Sequence, residues 1–190
     1  MSEETKKKIL NSRAIKNKKY IHTSLEMETS THFPMLIKTV QASQGTVLEL
    51  GSGMFSTPLL HWLLFGTGRK LVTYESYPHY LDFAKKFKTP DHEVIYVKDW
   101  DKLMFPDHYS VVFIDHSIPK KKHTRGDDAA RFANNADFVV LHDGGDKAHA
   151  KYGYQAIYPL FKYRYDWTGN KVNTTVLSNF IDVTTWNSPS

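Results

Sequence analysis

The sequence contains no cysteine. That absence excludes disulfide bridges, zinc held by thiolates and cysteine nucleophiles. Long apolar runs are missing too, and none approaches the ~20 residues a helix needs to cross a bilayer. The first residues, Met1-Ser-Glu-Glu-Thr-Lys-Lys-Lys8, lack the apolar stretch of a signal peptide. A cytoplasmic protein without a membrane partner is therefore expected. There is no internal repeat, no low-complexity tract and no second-domain linker. A chain of 190 residues is long enough to bury one core, so a single domain is expected.

The net charge is +5. Much of the excess lies in two places, Lys6 to Lys19 and Lys120 to Arg125. The first reads as a solvated terminal segment. The second is a basic loop that suggests an acidic or phosphorylated small-molecule substrate, or else a solvated loop. Basic segments attract nucleic acid without sequence preference, but no nucleic-acid-binding motif accompanies these. Nucleic acid is therefore disfavoured as a partner.

Residues 1–44 read as an N-terminal helical or lid segment, with Pro34 opening a helix through Val40. Residues 45–190 read as the core. Thr46-Val-Leu-Glu-Leu50 is a strand, Gly51-Ser-Gly53 a tight turn, and Ser56 the N-cap of a helix that carries Pro58 in its first turn. The following elements are strands at 71–75, 93–97, 110–115 and 137–143. Helices are expected over 78–87, 125–134 and 147–158. Two last strands, 161–167 and 174–180, flank the turn signal Thr168-Gly-Asn170. Strands alternating with helices predict a doubly wound α/β fold with a mainly parallel sheet covered by helices on both faces. In such a sheet, ligands bind outside the carboxyl ends of the strands.

Every one of the five apolar strands ends in an acidic group: Glu49, Glu75, Asp99, Asp115 and Asp143. Each has a job it could do. Glu75, one strand–helix–strand unit after the glycines, can accept two hydrogen bonds from ribose hydroxyls. Asp99 could accept from an adenine amino group, with Trp100 or Tyr77 offering a face for the ring. Gly51 and Gly53 let backbone approach a ligand. Glu49 and Asp115 sit where a cationic amino-acid group would be held.

Glu49-Leu-Gly-Ser-Gly53, Glu75 and Asp99 together resemble class I S-adenosylmethionine-dependent methyltransferases, over about residues 45–180. The resemblance implies a sheet of order 3-2-1-4-5-7-6 with strand seven antiparallel, which agrees with the final hairpin. It implies S-adenosylmethionine contacts from Glu49, Gly51, Gly53, Ser56, Glu75, Asp99, Trp100 and Asp115. Phe55 stands where many members carry a third glycine, and a bulky ring there could narrow the methionine side. Val112-Phe-Ile-Asp-His116 and Val139-Val-Leu-His-Asp143 resemble the strand ends of the small catechol-type O-methyltransferases. That likeness implies methyl transfer to a hydroxyl, less readily an amine, of a small molecule. In those enzymes two aspartates and an Asn hold Mg²⁺ and a loop lysine acts as base. Asp115 and Asp143 match, but Gly144 replaces the Asn, which argues against the metal. Lys120, Lys121 or Lys122 approximates the lysine. His142 and His116 offer a metal-free base. His22, His32, Glu26 and Glu28 precede the core, where a lid often closes in this fold; otherwise they are polar surface.

Two rival classes remain. An NAD-dependent oxidoreductase shares the Gly-x-Gly turn and the ribose acid, but Ser56 replaces its third glycine and Glu49 would oppose a pyrophosphate. A non-catalytic or RNA-binding member of the same fold is the other.

Overall fold

A computed structural model describes residues 30–117, 124–169 and 172–186, with the backbone alone for Asp146 and Lys147. The elements run α1 (Phe33–Gln41), β1 (Val47–Leu50), α2 (Ser56–Leu64), β2 (Leu71–Glu75), α3 (Pro78–Ala84), β3 (His92–Tyr96), β4 (Tyr109–Ile114), α4 (Arg125–Arg131), β5 (Ala136–Gly144), α5 (Asp146–Tyr152), α6 (Tyr154–Ile157), β6 (Tyr163–Trp167) and β7 (Asn173–Ser178). The seven strands form one sheet of order β3-β2-β1-β4-β5-β7-β6. The pairs β3–β2, β2–β1, β1–β4 and β4–β5 are parallel, whereas β7 runs antiparallel to both β5 and β6. The expected order and the antiparallel seventh strand are both present.

The continuous apolar runs of the inner strands follow from burial on both faces. Leu48, Leu50, Val112, Ile114, Val139 and Leu141 pack on one face with Ala129 and Phe132, and with Tyr154 and Ile157 of α6. Val47, Leu71, Val111, Phe113, Phe138 and Val140 pack on the other with Met35, Leu36 and Val40 of α1 and Leu60 and Leu64 of α2. Alternate residues thus serve opposite layers, as the period of two requires.

Three local expectations are corrected. Ser56 does not cap α2 through its side chain; Phe55 holds the N-cap position and Ser56 is the first helical residue, fully buried. The helix expected over 147–158 is broken at Gly153, which adopts φ +71° between α5 and α6. There α4 comes so close that a Cβ on Gly126 would lie 2.8 Å from the carbonyl oxygens of Tyr152 and Gly153. The helix expected over 78–87 finishes as a 3-10 turn, Lys85–Phe87. Asn170 of the expected hairpin turn lies outside the described residues, though β6 and β7 pair as a hairpin should. Among the described residues no helix is long and apolar enough to cross a membrane.

Candidate functional site

A cavity of about 410 Å³ opens at the carboxyl ends of the parallel strands. Its volume lies within the range of small-molecule sites. One side is the glycine turn, Gly51 to Ser56, together with Glu75, Tyr77 and Tyr80. The opposite side is Asp115, His116, Ser117, Arg125, His142 and Asp143, with His32 reaching in from the start of α1.

The turn is built by β1 and α2. Gly51 has φ +92°, and a Cβ there would lie 2.4 Å from the backbone of His116. Only glycine lets the end of β1 press against the end of β4 in this way. Glu75 accepts from the Ser52 amide (2.8 Å), the Ser52 hydroxyl (2.9 Å) and the Tyr77 amide (2.6 Å). Burial raises its pKa above the usual carboxylate value, against those hydrogen bonds. A carboxylate offers about four lone-pair sites. The Ser76 amide donates as well, so all four are used. One becomes free for a ligand hydroxyl when Ser52 Oγ turns to the Tyr80 carbonyl, 3.2 Å away.

Glu49 is not in the cavity wall. It is fully buried and accepts from Thr57 Oγ1 at 3.0 Å and Thr73 Oγ1 at 2.7 Å, with Ser56 also donating. Burial pushes its pKa up to about 7, despite those donors. The Gly53 amide donates to Thr57 Oγ1 at 3.0 Å. Glu49 therefore holds the glycine turn through Thr57 instead of meeting a ligand. Asp99 and Trp100 also lie outside the cavity wall. Asp99 accepts from the Asp101 amide and pairs with Lys102. Trp100 is buried and stacks on His116 with ring centroids 4.2 Å apart.

The opposite wall is an ion cluster. Arg125, 4% exposed, donates to Asp115 Oδ1 at 2.9 Å, Asp143 Oδ2 at 3.0 Å, and the carbonyls of His116 and Asp115 at 2.8 and 3.0 Å. Its guanidinium lies 4.2 Å over the Tyr152 ring. Asp143 has φ +58°, at a register shift between β5 and β7. The left-handed backbone, which aspartate tolerates better than most residues, brings its carboxylate to Arg125. His142 Nδ1 is 3.2 Å from Asp115 Oδ1, and its Nε2 is 3.1 Å from Thr31 Oγ1. Burial alone would raise the pKa of Asp115, but His142 and Arg125 hold it well below the usual carboxylate range. In return Asp115, with Asp143, raises His142 above the ordinary imidazole value, against the effect of burial. His116 lines the cavity as well, with its Nε2 held by buried Asp128 of α4 at 2.6 Å.

Sequence reasoning missed two groups. Arg125 was read as part of a solvated basic loop, yet it is buried and neutralised by two carboxylates. The signal was its place at the first turn of α4, directly opposite two acidic strand ends. His32 was read as lid or polar surface; it is 2% exposed and packed on Phe113 and His142 at 5.0 and 4.8 Å between ring centroids. Lys120, Lys121 and Lys122, and His22, Glu26 and Glu28, lie outside the described residues.

The donor set does not suit Mg²⁺. One donor atom each from Asp115, His142 and Asp143 lie within 4.8 Å of one another. However, the cation these carboxylates face is already Arg125. At Gly144 an added Cβ would meet Thr175 Oγ1 at 3.0 Å and the Asn173 carbonyl at 3.2 Å, so an Asn ligand there would be crowded.

No protein-family model and no curated protein matches the sequence. Solved structures do match. An O-methyltransferase from Bacillus cereus in complex with SAH superposes with a TM-score of 0.58 at 16% identity, over 94% of this chain and 92% of that one. The fold is that of the class I methyltransferases. A methyltransferase from Pyrococcus furiosus gives 0.54 at 12% identity, over 94% and 99% of the two chains. The spermidine synthase of Thermotoga maritima gives 0.59 at 14% identity, over 82% of this chain but only 61% of its own length. One fold therefore carries methyl transfer in some proteins and polyamine synthesis in another, and the choice here falls to the site.

Proposed function

We propose that this protein is an S-adenosylmethionine-dependent methyltransferase acting on a neutral hydroxyl group of a small molecule. The observation that carries the reading is one cavity with two unlike walls. A glycine turn with a ribose-type acid faces an Asp–His pair. Gly51 to Phe55, Glu75, Tyr77 and Tyr80 are the residues that would hold the cofactor. When bound, it supplies an electrophilic methyl on a sulfonium, and the protein needs only to align the acceptor and take its proton. The Asp115–His142 pair suits the second task. Asp115 orients the ring and raises its basicity, so His142 can receive the proton that the hydroxyl loses.

A hydroxyl is preferred over an amine on electrostatic grounds. An ammonium acceptor needs an uncommitted carboxylate, and both Asp115 and Asp143 are already paired with Arg125. For the same reason Arg125 has little to offer an acidic substrate. Metal plays no part in this reading.

The test is calorimetric titration with S-adenosylhomocysteine and, separately, NADH. Binding of the first and not the second is expected; the reverse would overturn the proposal in favour of an oxidoreductase. Once an acceptor is found, transfer should persist in EDTA. Its rate should rise with pH through a value above 6.5, since the base must be unprotonated and its pKa is raised.

A further inference from the structure

His32 stands apart from the other polar groups of the cavity. Its ring is 2% exposed, lines the cavity, and among the described residues neither Nδ1 nor Nε2 has a hydrogen-bond partner. Buried polar atoms in folded proteins are nearly always satisfied, because desolvation without a partner is costly. A ring with both nitrogens unmet, facing a cavity, is therefore shaped for something that enters it. In the neighbouring His142 only Nδ1 lacks a hydrogen bond, and it lies in ion-pair range of Asp115 Oδ1 at 3.2 Å, while Nε2 meets Thr31 Oγ1 at 3.1 Å.

The surroundings of His32 define what could enter. Phe113 lies 5.0 Å away on one side and Phe33 5.3 Å on another, and Phe33 contacts Phe55, itself part of the cavity wall. The body of the ligand at this end is thus apolar and flat. We propose that His32 is the acceptor-binding residue: its neutral imidazole hydrogen-bonds the hydroxyl of an aromatic or benzylic alcohol and turns its oxygen toward the methyl donor. The inference rests on the methyltransferase reading and names the group that recognises the substrate.

The ring stays neutral while it does so. Burial and the adjacent His142 lower its pKa to about 3, against the pull of Asp115. It donates through an N–H to the hydroxyl oxygen, which leaves the hydroxyl proton directed at His142. It does not compete for the proton. In the transfer, the methyl–sulfur bond breaks with its electron pair left on sulfur, and the oxygen–methyl bond forms. The hydroxyl proton passes to the Asp115–His142 pair.

The experiment uses benzyl alcohol as probe, with toluene and benzylamine as controls, on ¹⁵N-labelled protein with and without saturating S-adenosylhomocysteine. The His32 ring nitrogens are assigned by comparison with His32→Gln and His32→Phe; either variant suffices if the other does not fold. Benzyl alcohol should shift both His32 ring nitrogens, and toluene should not. Its affinity should fall about tenfold in His32→Phe and less in His32→Gln, whose amide can still donate and accept. Affinity for S-adenosylhomocysteine should stay unchanged in both variants, which a merely structural role of the ring would not predict. Unshifted His32 nitrogens with bound alcohol, or equal affinity in His32→Phe, would overturn the assignment. Stronger shifts with benzylamine would also overturn it, in favour of an amine acceptor. Failure of S-adenosylhomocysteine to bind would sink the methyltransferase reading instead, while the ring shifts still decide the role of His32.

Discussion

Replacing Arg125 by alanine tests how the cavity wall is held together. The guanidinium joins two carboxylates and two carbonyls, so its loss leaves Asp115 and Asp143 facing each other without a cation. Breaking a fully buried ion pair costs about 3–5 kcal/mol. Here the carboxylates are 26% and 33% exposed, so water screens part of the repulsion. A loss of roughly 2–3 kcal/mol is expected after that discount. For a chain of this size that is a fall in Tm of about 4–12 °C. The vacated space would be ringed by oxygen and nitrogen donors from Asp115, Asp143 and His142. A divalent cation such as Mn²⁺ should then restore part of the lost stability in Arg125→Ala and leave the natural protein unaffected. Differential scanning fluorimetry with and without Mn²⁺ reads both effects. Equal stabilisation of the two proteins by Mn²⁺ would refute the idea that the guanidinium stands where a metal would. So would an unchanged Tm in the variant.

Two further outcomes are expected. Glu75→Ala should weaken S-adenosylhomocysteine binding about tenfold or more, since it removes a charged acceptor and releases the Ser52 amide; Asp99→Ala, outside the cavity, should change it little, and calorimetry compares them. Glu49→Gln should alter the pH dependence of stability. The folded pKa of about 7 lies above the ordinary 4.5, so the natural protein loses stability as pH rises from about 4.5 to 7. That loss amounts to about 3 kcal/mol, and the amide variant should lack it. Parallel stability–pH curves for the two proteins would contradict this.

The layer order of the sheet was legible because apolar runs, glycine turns and a final hairpin leave few topologies. The strand ends were legible as a place, and Glu75, Asp115, His142 and Asp143 do meet at one cavity. Their individual directions were less so. Glu49 shares its parity with Val47, which packs under α2; the alternation along β1 sends its carboxylate to Thr57 and Ser56, not to the ligand. That could have been read from the spacing alone. The burial of Arg125 could not. It depends on the left-handed turn at Asp143 and on the close approach of α4, which α4 makes possible at Gly126. Neither feature leaves a periodic trace in the sequence. His32 likewise sits beside Phe113 and His142 only because α1 packs across the sheet, a contact between residues far apart in the chain.

The contact of Gly51 with the backbone of His116 has an evolutionary side. Because β1 and β4 touch with no side chain between them, the glycine-turn wall and the Asp–His wall cannot be adjusted separately by changing residues at that seam. New acceptors would have to be accommodated from the rim. The residues free to vary are then those at the start of α1 and at Phe55, where His32 and its aromatic neighbours stand. A lineage of such proteins could retune what it modifies by exchanging a few rim residues and leave the transfer machinery untouched.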